Sequence, residues 1–238
     1  MVAKDTTQII HKTREDYNRI AKYFSNTREY VWPEFKYFTS FIKDGQNILD
    51  WGCGNGRMVF CLQDKKVKYF GLDQSSELIK IAKKKFAADV KHGKAKFICT
   101  GSGDKKFPAE FFDLVFIIAA LFHLPDEASR LKLLQKIYKE MKTGGKLVVM
   151  VWNLGSDWAK VKAKKSWKKI GENDFLIPWK NPEGEILAER YYHHFTPAEL
   201  NGLLVSAGFK VKKLKFMKNG TWTDDKGGQN LIAVAEKK

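Results

Sequence analysis

Apolar positions recur at helical spacing from Arg14 to about Phe24, where Tyr17, Ile20, Ala21 and Phe24 fall on one face. Pro33 can open a second, short helix carrying Phe35, Tyr37, Phe38 and Phe41. The pattern then switches. Asn47 to Trp51 reads as a buried strand that runs into a glycine turn and a helix. Lys68 to Asp73 is a second strand, after which Ser75 or Ser76 can cap a helix bearing Leu78, Ile79, Ala82 and Phe86. Lys96 to Thr100 is a short strand, and Asp113 to Ala120 is apolar enough for the centre of a sheet. A helix starting at Pro125-Asp126-Glu127 places Leu131, Leu134, Ile137 and Met141 on one face and stops at Gly144-Gly145. Lys146 to Trp152 is the next strand.

Strands and helices in alternation predict an α/β fold, with a parallel sheet covered by helices on both faces. The C-terminal part departs from this. Thr196-Pro197-Ala198-Glu199 opens a helix ending near Gly208, and two strands follow at about 210–216 and 230–235. Successive strands imply an antiparallel pair at one edge, giving a mostly parallel seven-stranded sheet with an antiparallel C-terminal hairpin. Residues 1–238 read as one domain. Its irregular feature is an insert at about 153–195, rich in Lys and Trp, of a length that is usually functional or disordered.

Composition narrows the class. With 238 residues and 44% apolar content, the chain is long enough for one full α/β core. No apolar run approaches the roughly 20 residues of a membrane span, and the N-terminal residues lack the apolar stretch of a signal peptide, so a cytoplasmic protein with no membrane partner is expected. Cys53, Cys61 and Cys99 form no disulfide or zinc pattern. The net charge of +16 favours polyanionic partners. Most of the basic residues are Lys, which is equally what a lysine-solvated surface would show. The clusters at Lys80, Lys83, Lys84 and Lys85, and at Lys160, Lys162, Lys164, Lys165, Lys168 and Lys169, admit both readings.

Asp50-Trp51-Gly52-Cys53-Gly54-Asn55-Gly56 lies where a strand turns into a helix, so the backbone can approach a ligand and free N–H groups face it. A dinucleotide fingerprint would want glycine where Arg57 stands. The acidic-x-Gly-x-Gly-x-Gly pattern instead resembles motif I of the class I S-adenosylmethionine (SAM) methyltransferases, which have a Rossmann-like fold. Asp73 ends the second strand roughly 20 residues on, where a carboxylate can hold both ribose hydroxyls. The resemblance implies SAM contacts from the turn (Asp50, Gly52, Cys53, Gly54, Gly56) and from Asp73 and Gln74. Tyr17, Arg28 and Ala119 complete that set. The family's adenine-contacting Asp after the third strand is replaced by Thr100-Gly101-Ser102-Gly103-Asp104, where Asp104 serves only if the loop is shifted.

Tyr17-Asn18-x-Ile20-Ala21-x-x-Phe24-Ser25-x-Thr27-Arg28-x-x-x-Trp32-Pro33 resembles the N-terminal signature of the tRNA wobble-uridine carboxymethyl methyltransferases, which esterify 5-carboxymethyluridine in the anticodon loop. Asp174-Phe175-Leu176-Ile177-Pro178-Trp179-Lys180 and Arg190-Tyr191-Tyr192-His193-His194-Phe195 resemble later segments of the same family. The likeness covers about residues 15–60, 113–153 and 174–207. A carboxylate nucleophile needs orientation rather than a base, so Arg28 and Arg190 are the expected clamps. Tyr191, Tyr192, Trp179 and Trp32 would stack on the wobble base or its neighbours, and His123 or His193 would hydrogen-bond the uracil or its carboxylate. The resemblance also implies a tRNA partner and, as in eukaryotic members, a small zinc-binding activator subunit. The alternatives are another tRNA carboxylate such as uridine 5-oxyacetic acid, a small-molecule substrate, or a non-catalytic RNA-binding or scaffold protein on this fold. No metal site is expected. Read as packing, Ile20 and Phe24 are core, and Arg28 and Arg190 are surface salt-bridge partners.

Overall fold

The computed structural model describes residues 5–101 and 105–238. Helix α1 (Thr6–Asn26) begins at Asp5, whose carboxylate accepts the N–H groups of Thr7 and Gln8. It starts some eight residues earlier than its apolar face does. A short α2 (Phe35–Thr39) follows Pro33, then strand β1 (Asn47–Trp51) and a 3₁₀ segment over Arg57–Leu62 in place of the expected α-helix. Strand β2 (Lys68–Asp73), helix α3 (Ser76–Lys85, capped by the Ser75 hydroxyl), the short α4 (Ala87–Lys91) and β3 (Ala95–Cys99) come next. Strand β4 (Phe112–Ile118) leads through a 3₁₀ turn at Leu121–His123 into α5 (Glu127–Glu140), and then β5 (Met141–Trp152).

The main sheet has eight strands. In chain order these continue after the insert, so the insert comes first: α6 (Asp157–Ser166), β6 (Lys168–Lys169), β7 (Asp174–Lys180) and β8 (Ile186–His193). After it come α7 (Pro197–Ser206), β9 (Phe209–Lys218), β10 (Thr221–Thr223) and β11 (Asn230–Lys237). The strand order is β10-β9-β11-β5-β4-β1-β2-β3, parallel from β5 to β3 and antiparallel beyond. Seven strands are those expected; the eighth, β10, is a three-residue edge strand inside the polar loop. The expected architecture, a mostly parallel sheet ending in an antiparallel C-terminal hairpin, is therefore present.

Alternation along β4 shows why the sheet is sealed on both faces. Val115 and Ile117 join one core with Leu134, Ile137, Leu200 and Leu204 of α5 and α7. Leu114 and Phe116 join the other, with Phe35 and Phe38 of α2 and Ile79 and Ala82 of α3. The insert is not irregular. It forms a helix and a separate antiparallel sheet, β6-β7-β8, whose last strand packs against α1. Its sequence hid this because Pro178 and several polar residues interrupt the strands. In space β1 sits between β4 and β2, so the chain leaves β1 to one side and returns on the other. Crevices form at such a switch point, beyond the strand ends.

Candidate active site

A cleft of about 450 Å³ opens at that point. Its floor is the turn after β1. Gly52 has φ +79°, and a Cβ there would lie 2.3 Å from the Ala120 Cβ. Glycine is thus required for the turn to pass the chain leaving β4. Asp73, at the end of β2, accepts the Gly54 N–H at 2.9 Å and the Ser75 N–H at 2.8 Å, one on each carboxylate oxygen. Burial raises its pKa against these bonds. Asp50 lies beneath the turn, accepts the Tyr69 hydroxyl at 2.7 Å, and is pushed up to about 7 by burial. Ala119, which closes the opposite side, takes φ +54°, a strained conformation for a side chain with a Cβ.

Helix α1 and strand β8 build the other end. His123 Nδ1 is 2.7 Å from the Tyr191 carbonyl oxygen, so it carries the proton. Its Nε2 then accepts the Tyr17 hydroxyl at 2.8 Å, and Arg190 donates to the Tyr17 oxygen at 3.3 Å. Both ring nitrogens are used. Burial, followed by the nearby Arg190 charge, lowers the His123 pKa to about 3, so the ring is neutral at pH 7. Arg190 is 3% exposed and its Nε has no partner; the Arg28 Nε is also buried and unpartnered. Arg28 donates through Nη1 to the Thr27 hydroxyl at 2.9 Å and the Thr27 carbonyl at 3.2 Å, and lies 5.0 Å from the centre of the Phe24 ring and 5.7 Å from that of Trp32. Burial and the like charge of Arg190 lower its pKa. Neither guanidinium meets a carboxylate among the described residues, so the surface salt-bridge reading of the two arginines does not hold.

Three comparisons bear on these features. A family model described as a methyltransferase domain matches residues 48–145, the stretch from the glycine turn through β4 to the start of β5. A Schizosaccharomyces pombe tRNA (carboxymethyluridine(34)-5-O)-methyltransferase is 26% identical over 224 residues, covering 87% of this chain and 92% of that protein. A SAM-dependent methyltransferase structure from Methanosarcina mazei superposes with a TM-score of 0.65 at 26% identity, over 84% of this chain and 96% of that one. The chain is a SAM-dependent methyltransferase. Longer relatives bearing the same printed name as the yeast protein extend well past the match, and the methyltransferase spans 23% and 39% of two of them. A Haloferax volcanii putative methyltransferase, in complex with a Trm112 methyltransferase activator, shares the fold at a TM-score of 0.67 and 18% identity, over 94% of this chain and 96% of that one.

The methyltransferase brings most of the sequence-predicted residues to one place. Tyr17, Arg28, Asp50, Gly52, Cys53 and Gly54 line the cleft, as do Asp73, Gln74, Ala119, His123 and Arg190. Gly56 supports the turn from behind: a Cβ there would meet the Phe97 ring at 2.7 Å. Tyr191 and His193 do not face the cleft. On β8, Arg190 and Tyr192 point to one side and Tyr191 and His193 to the other, as a two-residue period requires. Their partners are polar. Tyr191 donates to Asp174, with the Pro125 carbonyl 3.2 Å from its hydroxyl as the other acceptor in reach, while His193 bridges Asp174 at 2.8 Å and Glu199 at 2.7 Å. Asp104 lies outside the described residues. Arg57, Arg14 and Lys132 also reach the cleft and were not predicted. Arg57 was legible as the residue beside the last glycine of the turn. Lys132 sits on the polar side of α5 and carried no signal of its own.

The cradle fits SAM. Glycines clear the turn, Asp73 keeps acceptor capacity on both oxygens, and cationic and aromatic groups gather at the far end.

Proposed function

We propose that this methyltransferase esterifies the carboxylate of 5-carboxymethyluridine at the wobble position of tRNA. The observation that carries the reading is the pair of guanidiniums, Arg28 and Arg190, each with a buried Nε lacking a partner and neither neutralised by a carboxylate among the described residues. Burial disfavours such a cation; at Arg190 the nearby Tyr192, Tyr17 and Asp16 already outweigh burial, and an anion on the open guanidinium edges would complete that compensation. The yeast relative's printed substrate supplies that anion as a carboxymethyl group on a uridine.

When bound, SAM supplies an electrophilic methyl group. In this reading the Gly52–Gly56 turn cradles it, and Asp73 receives its ribose hydroxyls. The chain then has only to orient the substrate carboxylate and exclude water, because a carboxylate is already ionised and nucleophilic at pH 7. The site is consistent with a reaction that needs no base. His123 is neutral with its lone pair committed to Tyr17, so it positions Tyr17 and Arg190 rather than moving a proton. Trp179 flanks Arg190 at 5.1 Å and offers a planar face for a uracil ring, whereas Tyr192, stacked on Phe122 and Trp152, backs the guanidinium from 5.2 Å.

In the same reading residues 1–238 act as one methyltransferase domain, and the 153–195 insert is its substrate side, since β8 delivers Arg190 and Tyr192. The Trm112 activator belongs to the Haloferax complex; a subunit of that kind enters here as a component to add to the assay.

Arg190→Lys keeps the charge but loses the planar fork. It is expected to lower kcat/KM for tRNA roughly 10- to 100-fold, the worth of a charged hydrogen bond, with SAM affinity unchanged by calorimetry. Wild-type kcat/KM in both this variant and Arg28→Lys would remove the clamp and the carboxylate reading with it.

A further inference from the structure

Guanidiniums and aromatic rings alternate beside the cleft, with Arg190, Arg28, Trp32 and Arg57 lining it and Trp179 behind them. Arg190 lies 5.1 Å from the centre of the Trp179 ring, and Arg28 lies 5.9 Å from the same indole. Arg28 is 5.7 Å from Trp32, and Arg57 is 3.9 Å from that ring. Each indole is therefore within cation–π reach of two arginines. The cations are spaced by rings, and none of the three arginines has a salt bridge among the described residues. Burial and then the Arg28 charge push the Arg57 pKa down to about 9, against the opposing pull of Asp50 and Glu34, so Arg57 and Arg28 repel each other and an anion beside them would relieve that.

The proposed substrate carboxylate uses only the Arg190 and Arg28 end. Arg57 starts the 3₁₀ segment after the glycine turn and holds the Tyr30 carbonyl by a long 3.5 Å bond. Past it, at the end of α3, comes Lys85, which is exposed, has Glu29 and then Arg57 as its charged neighbours, and sits 4.7 Å over the Phe60 ring. The Tyr30 side chain is 83% exposed on the same loop as Trp32. An exposed aromatic ring beside a graded row of cations matches a single strand, which offers one phosphate and one stacking face per nucleotide.

We propose that Arg57, Trp32, Tyr30 and Lys85 form an exit track for the RNA strand flanking the methylated nucleotide, with Arg57 and Lys85 meeting successive phosphates and Tyr30 stacking on a neighbouring base. The track rests on the tRNA reading of the cleft. A small free carboxylate would occupy one clamp and leave these residues without a role. The track also gives a use to the basic end of α3, and the arginine fork of Arg57 suits a phosphate better than a lysine would.

The test is binding of fluorescently labelled tRNA to the full chain by anisotropy, over a series of salt concentrations, with circular dichroism and the urea midpoint as the check on folding. Arg57→Gln and Lys85→Gln are each expected to reduce the slope of log affinity against log salt by about 1, and by about 2 together. Tyr30→Ala is expected to weaken binding roughly fivefold or more without changing that slope. Should Arg57→Gln fail to fold, Lys85→Gln and Tyr30→Ala, both at exposed positions, carry the test. Wild-type slopes and affinities in folded variants overturn the track. If wild-type protein methylates tRNA but the variants bind like it, the track falls and the reading of the cleft stands. If the slopes drop as expected but no tRNA carboxylate is methylated, the track stands as an RNA surface and the reading of the cleft falls.

Discussion

Asp73 shows how one side chain links the fold to the cofactor. Its two oxygens are each held by one backbone N–H, which fixes the rotamer and leaves lone pairs for a ligand. Asp73→Ala removes the acceptor and frees the Gly54 N–H, so SAM binding by calorimetry should fall at least roughly 100-fold, two lost charged hydrogen bonds being worth about 3 kcal/mol or more. An affinity within a few-fold of wild type would show that another group holds the ribose. Gly52 is the complementary case, where a side chain is excluded. Gly52→Ala forces a left-handed φ on alanine and drives its Cβ into Ala120, at a cost of about 2 kcal/mol or more. The urea midpoint should shift accordingly, and an unchanged midpoint would mean that the chain leaving β4 can move aside.

At the level of elements, β8 divides its side chains between two tasks. One face gives Arg190 and Tyr192 to the cleft. The other ties the strand to β7 and α7 through His193, Asp174 and Glu199, with Arg130 pairing Glu199 at 3.2 Å. Burial opposes charge on His193, but the hydrogen bonds to Asp174 and Glu199 outweigh it, and the pKa rises above 6.5. A group whose folded pKa is raised stabilises fully below its unfolded value and loses that contribution as pH climbs through the folded one. The Tm difference between wild type and His193→Gln should therefore be larger at pH 6 than at pH 9. An equal difference at both would mean that the imidazole binds its neighbours without a proton. The sequence showed Arg190, Tyr191, Tyr192 and His193 only as a cluster. Assigning two of them to the cleft needed the strand assignment, and the insert's broken alternation around Pro178 concealed that strand. Where the periodicity was clean, as in β1 and β2, the expected bounds and the observed ones coincide. The cofactor turn was legible because its glycines are required by local geometry. The arginine wall was not, since Arg28, Arg57 and Arg190 come together only through α1, the turn and the insert.

At the scale of the whole molecule, the charge of +16 is unevenly used. Arginine is the scarce cation, yet Arg14, Arg28, Arg57 and Arg190 all line the cleft, while lysines serve most of the outer surface. The placement suits a protein that reads an anionic group closely at one site and attracts a polyanion over the rest of its surface. No helix among the described residues is long and apolar enough to cross a membrane. The measurement that tests the central claim most directly is transfer of labelled methyl from SAM to total tRNA from a strain lacking its own wobble carboxymethyl methyltransferase, assayed with and without a Trm112-type activator and followed by nucleoside mass spectrometry. An alkali-labile methyl ester on 5-carboxymethyluridine is the predicted product. A protein that binds SAM and leaves every tRNA carboxylate unmethylated, with the activator present, would contradict the account.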